Sequence, residues 1–127
     1  MTNPIILIID DDTFLLDMYA LKFRESGFSV NTATNGDDGL TKLREGLAPD
    51  IILADVVMPG MDGLEFLKKA ASEKLIPPTC SAIVLSNLGQ QEDIEKGVSA
   101  GAKGYIVKAN HTPSEVVAKV NEFLHHA

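Results

Sequence analysis

The hydrophobic residues of the chain fall into short continuous runs separated by segments with helical spacing. Five of the runs, each bounded by turn-forming residues, predict five β-strands. Short apolar runs of this kind are typical of strands in a parallel sheet that is covered on both faces. The predicted strands are Ile5–Ile9, Ser29–Thr32, Ile51–Ala54, Ala82–Leu85 and Tyr105–Val107.

Between the strands, apolar residues recur every three or four positions, which is the spacing of one helix face. The predicted helices are Thr13–Ser26, Asn35–Gly46, Leu64–Glu73, Gln91–Ala100 and Pro113–Leu124. One broad apolar face of the first helix is predicted to contain Phe14, Leu15, Met18, Tyr19 and Phe23. Strands that alternate with helices predict a parallel sheet with helices on both faces, joined by right-handed crossovers.

Asp55 directly follows the third predicted strand, and the residues after it break regular structure. Pro59 fixes the backbone and lacks an N–H group, while Gly60 and Gly63 permit conformations that other residues resist. Asp62 is suited to cap the helix that follows. A carboxylate at the end of a central parallel strand stands where open α/β sheets bind ligands, although such an aspartate also serves as a simple turn former.

Composition narrows the classes of function. A chain of 127 residues fits one domain with a proper core, and its formal charge of −7 argues against general affinity for nucleic acid or anionic membranes. No apolar run approaches the roughly 20 residues that span a bilayer, and no basic region precedes the first run. The single cysteine, Cys80, excludes an internal disulfide and fits a reducing, cytoplasmic location.

Polar side chains follow four of the five predicted strands. They are Asp10, Asp11, Asp55, Ser86 and Lys108. Because the carboxyl ends of parallel strands meet at one edge, we expect these side chains to lie together. A group of carboxylates is unfavourable unless a cation is bound, and Mg²⁺ prefers such oxygen ligands. An ammonium and a hydroxyl group suit an anion with several oxygens, so the set predicts phosphoryl chemistry with a carboxylate as possible nucleophile.

At these residues the chain resembles the receiver domain of response regulators. The motifs are the acidic pair after the first strand, Asp55 in LADVVMPGMDG, Ser86 in IVLSN and Lys108 in YIVK, in this order and spacing. The resemblance covers Pro4 to Leu124. It implies a flavodoxin-like (βα)5 fold, doubly wound, with a five-stranded parallel sheet in the order 2-1-3-4-5. It also implies that residues 1–127 form a single receiver domain without an output domain in this chain.

The function implied by the resemblance is that of a phosphoacceptor in a two-component signal transduction system, not an enzyme. A sensor histidine kinase or phosphotransfer protein would donate the phosphoryl group, with Mg²⁺ as cofactor, and an unknown target protein would be controlled. No direct contact with nucleic acid or membrane is expected. The protein would be a monomer or a phosphorylation-dependent dimer.

The resemblance also assigns roles by position. Asp55 is the phosphoacceptor, and Lys108 would pair with it and then with the phosphoryl oxygens. Asp11 is the direct Mg²⁺ ligand, and Asp10 completes the acidic pair, often through a water molecule. Val57 would supply a backbone carbonyl to the metal.

Two further residues are assigned to switching. Ser86 would bond a phosphoryl oxygen once Asp55 is modified, and Tyr105 would then turn inward, although a half-buried tyrosine on an outer strand needs no such role. The output surface would be the fourth helix, the fifth strand and the fifth helix. Asp12, next to the acidic pair, is expected to cap the first helix.

The chain departs from the receiver pattern near the site. Ala109 stands where a cis proline usually follows the lysine, so the loop 109–112 is expected to run differently. Asn87 replaces a small residue. Val57 and Leu88 are apolar and cannot orient an attacking water, which leads to the hypothesis of slow self-dephosphorylation.

Three other interpretations stay open on the residues alone. A haloacid-dehalogenase-type phosphohydrolase also uses a strand-end aspartate, but Phe14 stands where its motif has Thr or Val. A flavodoxin-like cofactor binder would need phosphate-binding donors after the first strand, and that loop is acidic. An interaction module that does not take phosphate is kept open by Asn87 and Ala109.

Overall fold

The computed structural model describes residues 3–86 and 91–125, and within them five strands alternate with five α-helices. The strands are β1 Ile5–Ile9, β2 Ser29–Ala33, β3 Ile51–Asp55, β4 Ser81–Ser86 and β5 Gly104–Val107. The helices are α1 Thr13–Glu25, α2 Gly36–Arg44, α3 Gly63–Ser72, α4 Gln91–Ser99 and α5 Pro113–His125. A 3-10 turn, Lys108–Asn110, follows β5. Each strand and each α-helix agrees in kind and place with the prediction from the sequence, whereas the 3-10 turn was not predicted.

The five strands form one parallel sheet in the order β2-β1-β3-β4-β5, as the resemblance implied. In the middle of the sheet, Ile8 pairs with Thr32 on one side and Leu53 on the other, and Leu53 pairs in turn with Ile83. Every residue of β3 and β4 is buried. These two strands read as continuous apolar runs because helices cover both faces of the sheet.

The side chains of each strand alternate between two separate cores. On one face, Leu7 and Ile9 of β1 pack with residues of α2 and α3, among them Phe66. On the other face, Ile6 and Ile8 pack with residues of α1 and α5. Full burial of one such aliphatic side chain contributes about 1.5–3 kcal/mol, so the two cores together fix the sheet between its helices.

The buried face of α1 differs from the prediction. The buried positions of the helix are Leu16, Tyr19, Ala20 and Phe23. Phe14 and Met18, predicted to share that face, are exposed, and Leu21 lies with them as a second apolar row. The prediction was wrong at Phe14 and Met18 because the helix has two apolar rows at the same spacing. We call Phe14, Met18 and Leu21 the outer stripe of α1.

Two aspartates fix the helix starts beside the strand ends. The Asp12 carboxylate accepts a hydrogen bond from the Leu15 N–H at 3.1 Å, and the Asp62 carboxylate accepts one from the Glu65 N–H at 2.8 Å. Such caps satisfy N–H groups that have no partner within the helix. Both aspartates were predicted in this role. Among the described helices, none has the length and apolar character that crossing a membrane requires.

Candidate functional site

The predicted site residues come together at the carboxyl edge of the sheet. Asp10 and Asp11 follow β1, Asp55 ends β3, Ser86 ends β4, and Lys108 follows β5. Asp10, Asp55 and Ser86 are buried, whereas Asp11 is exposed. The parallel topology is the reason for this convergence, because it places the ends of β1, β3, β4 and β5 side by side.

Three carboxylates form a close group. Asp10, Asp11 and Asp55 each offer an oxygen, and these oxygens lie within 4.8 Å of one another. Burial raises the pKa of Asp55 to about 7, and the negative charge of Asp10 adds to this effect while the positive charge of Lys108 opposes it. The group therefore disfavours a full set of negative charges without a cation. Its hard oxygen donors fit Mg²⁺.

Lys108 bridges two of these carboxylates. Its Nζ donates a hydrogen bond to Asp10 Oδ2 at 2.7 Å and lies 3.2 Å from Asp55 Oδ2. Burial by itself lowers the pKa of Lys108, but the hydrogen bond to Asp10 and the two negative charges outweigh it and raise the pKa above its usual value. The lysine is therefore charged, and it pairs with Asp10 at a shorter distance than with Asp55.

The two members of the acidic pair have different surroundings. Asp10 Oδ1 accepts a hydrogen bond from the Asp12 N–H at 3.0 Å, and its Oδ2 accepts one from Lys108. Both oxygens of Asp10 are thus engaged within the protein. Asp11 faces solvent, so its carboxylate is the more accessible of the two.

The loop after β3 is held at both ends. The Val56 N–H donates to the Leu85 carbonyl at 3.0 Å, and the Gly63 N–H donates to the Val56 carbonyl at 3.0 Å. Gly60 has a φ of 74°, in the left-handed region that favours glycine. The side chain of Val57 stands at the solvent edge of the site with 61% of its surface exposed.

Ser86 and Tyr105 occupy different depths. Ser86 is fully buried at the end of β4. Tyr105 is half-buried beside α4, and a Cβ added to Gly97 would lie 3.6 Å from its ring. Asn87 and Leu88, which follow Ser86, lie outside the described residues, so the predictions made for them remain predictions.

The segment after Lys108 is a compact turn. Lys108–Asn110 form a 3-10 turn, and the described residues contain no cis peptide bond. The ring Nδ1 of His111 is 2.9 Å from the Val107 carbonyl oxygen, and the His111 N–H donates to the Lys108 carbonyl at 3.2 Å. These contacts fix the backbone directly beyond the lysine without a proline.

Tyr19 of α1 is a residue near the site that the sequence analysis placed only in an apolar face. Its side chain is buried in the core between the sheet and α1 and α5. Burial raises the pKa of Tyr19, and the charges of Lys108, Asp10 and Asp55 also act on its phenol. The sequence did contain a signal for this position: Tyr19 carries a hydroxyl group on the buried row of α1, the helix that follows the acidic pair.

This arrangement defines a class of protein: a doubly wound α/β domain with an acidic, lysine-bridged site at the carboxyl edge of its sheet. A family profile described as the response regulator receiver domain matches residues 6–121. The chain therefore belongs to the receiver domain family of two-component response regulators. Membership in this family sets aside the phosphohydrolase and flavin-binding interpretations.

Similar proteins support the assignment. The chain is 37% identical over 118 residues to the chemotaxis protein CheY of Thermotoga maritima, covering 92% of this chain and 94% of CheY. It is 33% identical over 115 residues to the DNA-binding response regulator MtrA of Mycobacterium tuberculosis, covering 91% of this chain and 48% of MtrA. The chain thus spans about half the length of that regulator.

Solved structures show the same fold. A CheY-like receiver domain protein from Methanospirillum hungatei superposes with a TM-score of 0.86 at 30% identity, covering 98% of this chain and 96% of the other. The BeF3-activated receiver domain of DrrB, a protein of Thermotoga maritima, gives a TM-score of 0.81 at 28% identity, covering 98% and 99%. Both are receiver domains of nearly the same extent as this chain.

Proposed function

We propose that this receiver domain accepts a phosphoryl group on Asp55 from a sensor histidine kinase or phosphotransfer protein. One observation carries the proposal: the Asp55 carboxylate ends a rigid central strand, 3.2 Å from the Lys108 ammonium and grouped with the carboxylates of Asp10 and Asp11. Receiver domains of response regulators interact with histidine kinases, which fits this choice of donor.

The acidic group is suited to hold Mg²⁺ during this transfer. Asp11 and Asp55 would bind the metal through carboxylate oxygens and Val57 through its backbone carbonyl. Asp10 would act through a water molecule, because both of its oxygens already accept hydrogen bonds. When bound, the cation neutralises negative charge on the phosphoryl oxygens.

The transfer itself is a displacement at phosphorus. An oxygen of the ionised Asp55 carboxylate forms a bond to phosphorus while the bond between phosphorus and the donor atom breaks, and that electron pair stays with the donor. The product is an acyl phosphate on Asp55. Lys108 turns from the carboxylates to the phosphoryl oxygens, and the Ser86 hydroxyl donates a hydrogen bond to one of them.

The signal would leave the site through Ser86 and Tyr105. Phosphorylation adds about −1.5 to −2 charge units and strong acceptor oxygens, which draw Ser86 toward Asp55. Tyr105 then turns inward, and the surface of α4, β5 and α5 changes shape. In support, Tyr105 lines a cavity of about 240 Å³ between α4 and β5, together with Gly97 and Val98.

An exposed apolar row next to the site is suited to dock the donor. The outer stripe of α1 begins at Phe14, three positions after Asp11, and the exposed fraction is 73% for Phe14 and 54% for Leu21. Large apolar side chains exposed in a row on one helix mark an interaction site. We infer that the phosphoryl donor packs on this stripe and brings its phosphorylated histidine to Asp55.

The first experiment is the intact mass of the protein after incubation with Mg²⁺ and acetyl phosphate, beside an Asp55→Asn control. The proposal expects a gain of one phosphoryl group in the wild type that requires Mg²⁺ and is lost in the control. A wild type that gains no phosphoryl group from acetyl phosphate or from phosphorylated kinases would instead be a module that signals by binding alone.

A further inference from the structure

Helix α3 begins in direct contact with the backbone of the proposed phosphoacceptor. A Cβ added to Gly63 would lie 2.2 Å from the carbonyl oxygen of Asp55, 2.9 Å from its carbonyl carbon and 3.2 Å from the Cα of Val56. Contacts under 3.0 Å essentially never occur for a real Cβ. The atoms in the way belong to the main chain, so no side-chain rotation can relieve the contact.

The need for glycine here is a need for space. The φ angle of Gly63 is not in the left-handed region, in contrast to that of Gly60 in the same loop. The Gly63 N–H donates to the Val56 carbonyl at 3.0 Å, so the loop returns to the residue at which it began. The first turn of α3, which Asp62 caps, is therefore fixed against the strand end.

We propose that Gly63 is a positioning residue for the phosphoryl and metal site. Its lack of a side chain lets α3 touch the Asp55 peptide, and this contact sets the direction of the Asp55 carboxylate and of the Val57 carbonyl. The inference rests on the proposed function for the role of these two groups. Any side chain at this position must push the Asp55–Val56 peptide or α3 away, and the shift moves proposed metal-binding oxygens at the start of the loop.

A second closely packed glycine provides a matched control. A Cβ added to Gly39 of α2 would lie 2.7 Å from Cδ1 of Ile9 and 3.0 Å from a ring carbon of Phe66. These are the outer ends of side chains, and they can move by small rotations. Gly39→Ala therefore makes the same substitution at a crowded helix position without pressing on the backbone of Asp55.

The experiment compares Gly63→Ala, Gly39→Ala and the wild type. Calorimetry measures the Kd for Mg²⁺, intact mass gives the initial rate of phosphorylation by acetyl phosphate, and thermal melts give Tm. Displaced supporting groups weaken metal binding about 10–100-fold, and small misplacements of reacting groups slow reactions about 100-fold. We expect Gly63→Ala to weaken Mg²⁺ binding and to slow phosphorylation, each by about tenfold or more. Gly39→Ala should stay within about twofold of the wild type in both its Kd for Mg²⁺ and its phosphorylation rate.

The outcomes separate the possibilities. Wild-type Mg²⁺ affinity in a folded Gly63→Ala variant, or equal losses in both variants, would overturn the inference. If Gly63→Ala does not fold, the wild type is titrated with Mg²⁺ by NMR: larger shifts of the Gly63 amide and Asp55 carbonyl than of the Gly39 amide support the inference, and equal shifts overturn it. A wild type that takes no phosphate, while Gly63→Ala still weakens Mg²⁺ binding, would contradict the proposed function and leave the positioning role standing.

Discussion

Asp55 is a carboxylate that the fold keeps largely out of water, and this affects stability as well as chemistry. Its pKa is about 7 in the folded state, against an ordinary value near 3.8. Between pH 3.8 and about pH 7 the folded state binds more protons than the unfolded state. The free energy of unfolding therefore decreases as the pH rises through this range. Above pH 7 the ionised group is a net cost to the metal-free fold.

Replacing Asp55 by Asn removes that cost. We expect Asp55→Asn to melt about 3–8 °C higher than the wild type at pH 8 without Mg²⁺, and the difference to vanish near pH 4. Thermal melts monitored by circular dichroism at both pH values measure it. Adding Mg²⁺ should raise the Tm of the wild type more than that of the variant, because a ligand stabilises the state that binds it. A variant less stable than wild type at pH 8 would contradict the conclusion that the buried, ionised Asp55 carboxylate lowers the stability of the fold.

Lys108 is the counter-charge of the site, so its removal has two opposite effects. Without it, buried Asp10 loses its 2.7 Å ion pair, and we expect Lys108→Met to lower the free energy of unfolding by about 3 kcal/mol in the absence of Mg²⁺. The Kd for Mg²⁺ should fall, since a competing cation is gone. Denaturant titration measures the loss of stability, and calorimetry measures the Kd for Mg²⁺. Weaker Mg²⁺ binding in the variant would refute the prediction of tighter binding.

Val57, at the rim of the site, is expected to affect how long a phosphoryl group stays on Asp55. Its exposed apolar side chain cannot orient water toward a phosphoryl group on Asp55, so we expect the phosphorylated wild type to have a half-life of minutes or longer. Val57→Asn supplies a polar group there and should shorten the half-life several-fold. The decay of the phosphorylated mass over time measures both, and a wild-type half-life of seconds would disprove the hypothesis.

The sequence predicted which residues meet at the site but not their detailed contacts. Strand ends meet in any parallel sheet, so the grouping of the carboxylates with Lys108 followed from chain order. The shorter pairing of Lys108 with Asp10 depends on side-chain conformations, which no spacing reveals. The proximity of Tyr19 and the contact of Gly63 with Asp55 depend on how helices seat against the sheet.

At the level of secondary structure, the apolar runs located all five strands because buried parallel strands leave an uninterrupted signal. Helix α1 was the exception. Its two apolar rows have the same spacing, and only packing decides that Leu16 faces the core while Phe14 faces water. The apolar row that is not buried in the core is the outer stripe of α1.

The outer stripe gives a prediction that separates docking from chemistry. With the first kinase found to phosphorylate the wild type, we expect Phe14→Ser combined with Leu21→Ser to slow transfer about tenfold or more, because apolar contacts central to an interface carry much of its energy. Phosphorylation by acetyl phosphate should be unchanged, since it needs no docking. Val98→Ser on α4, where Val98 is 65% exposed, is the matched control and should transfer like the wild type. Equal slowing with both donors would contradict a docking role.

The packing of α5 on β5 can be tested by measuring stability. A Cβ added to Gly104 would lie 2.3 Å from the ring of Phe123. We expect Gly104→Ala to lower the free energy of unfolding by about 1–3 kcal/mol, and Phe123→Leu in the same chain to recover part of the loss. Denaturant titrations of the two single variants and the double variant measure the coupling. Strictly additive losses would show that the ring can move aside.

For the whole molecule, the sheet separates α1 from α4, whereas α5, which also belongs to the proposed output surface, packs on the same face as α1. Helix α1 packs on the face of the sheet that carries Ile8, while Gly97 of α4 lies beside Val84 and Tyr105, which belong to the opposite core. A donor on the outer stripe of α1 and a target on α4 would therefore approach from different sides of the domain. A target that contacts α4 but not α5 would then be able to remain bound while the phosphoryl group is delivered.

Tyr19 has a consequence for how this protein can be observed. The chain contains no tryptophan and only two tyrosines, so phenol rings dominate its ultraviolet emission over the weakly emitting phenylalanines. One ring lies behind the acidic site, where the charges of Asp10, Asp55 and Lys108 reach it, and the other, Tyr105, lies beside α4. We therefore expect the emission of Tyr19 to respond to occupancy of the site and that of Tyr105 to respond to the state of the surface of α4, and neither probe requires a label.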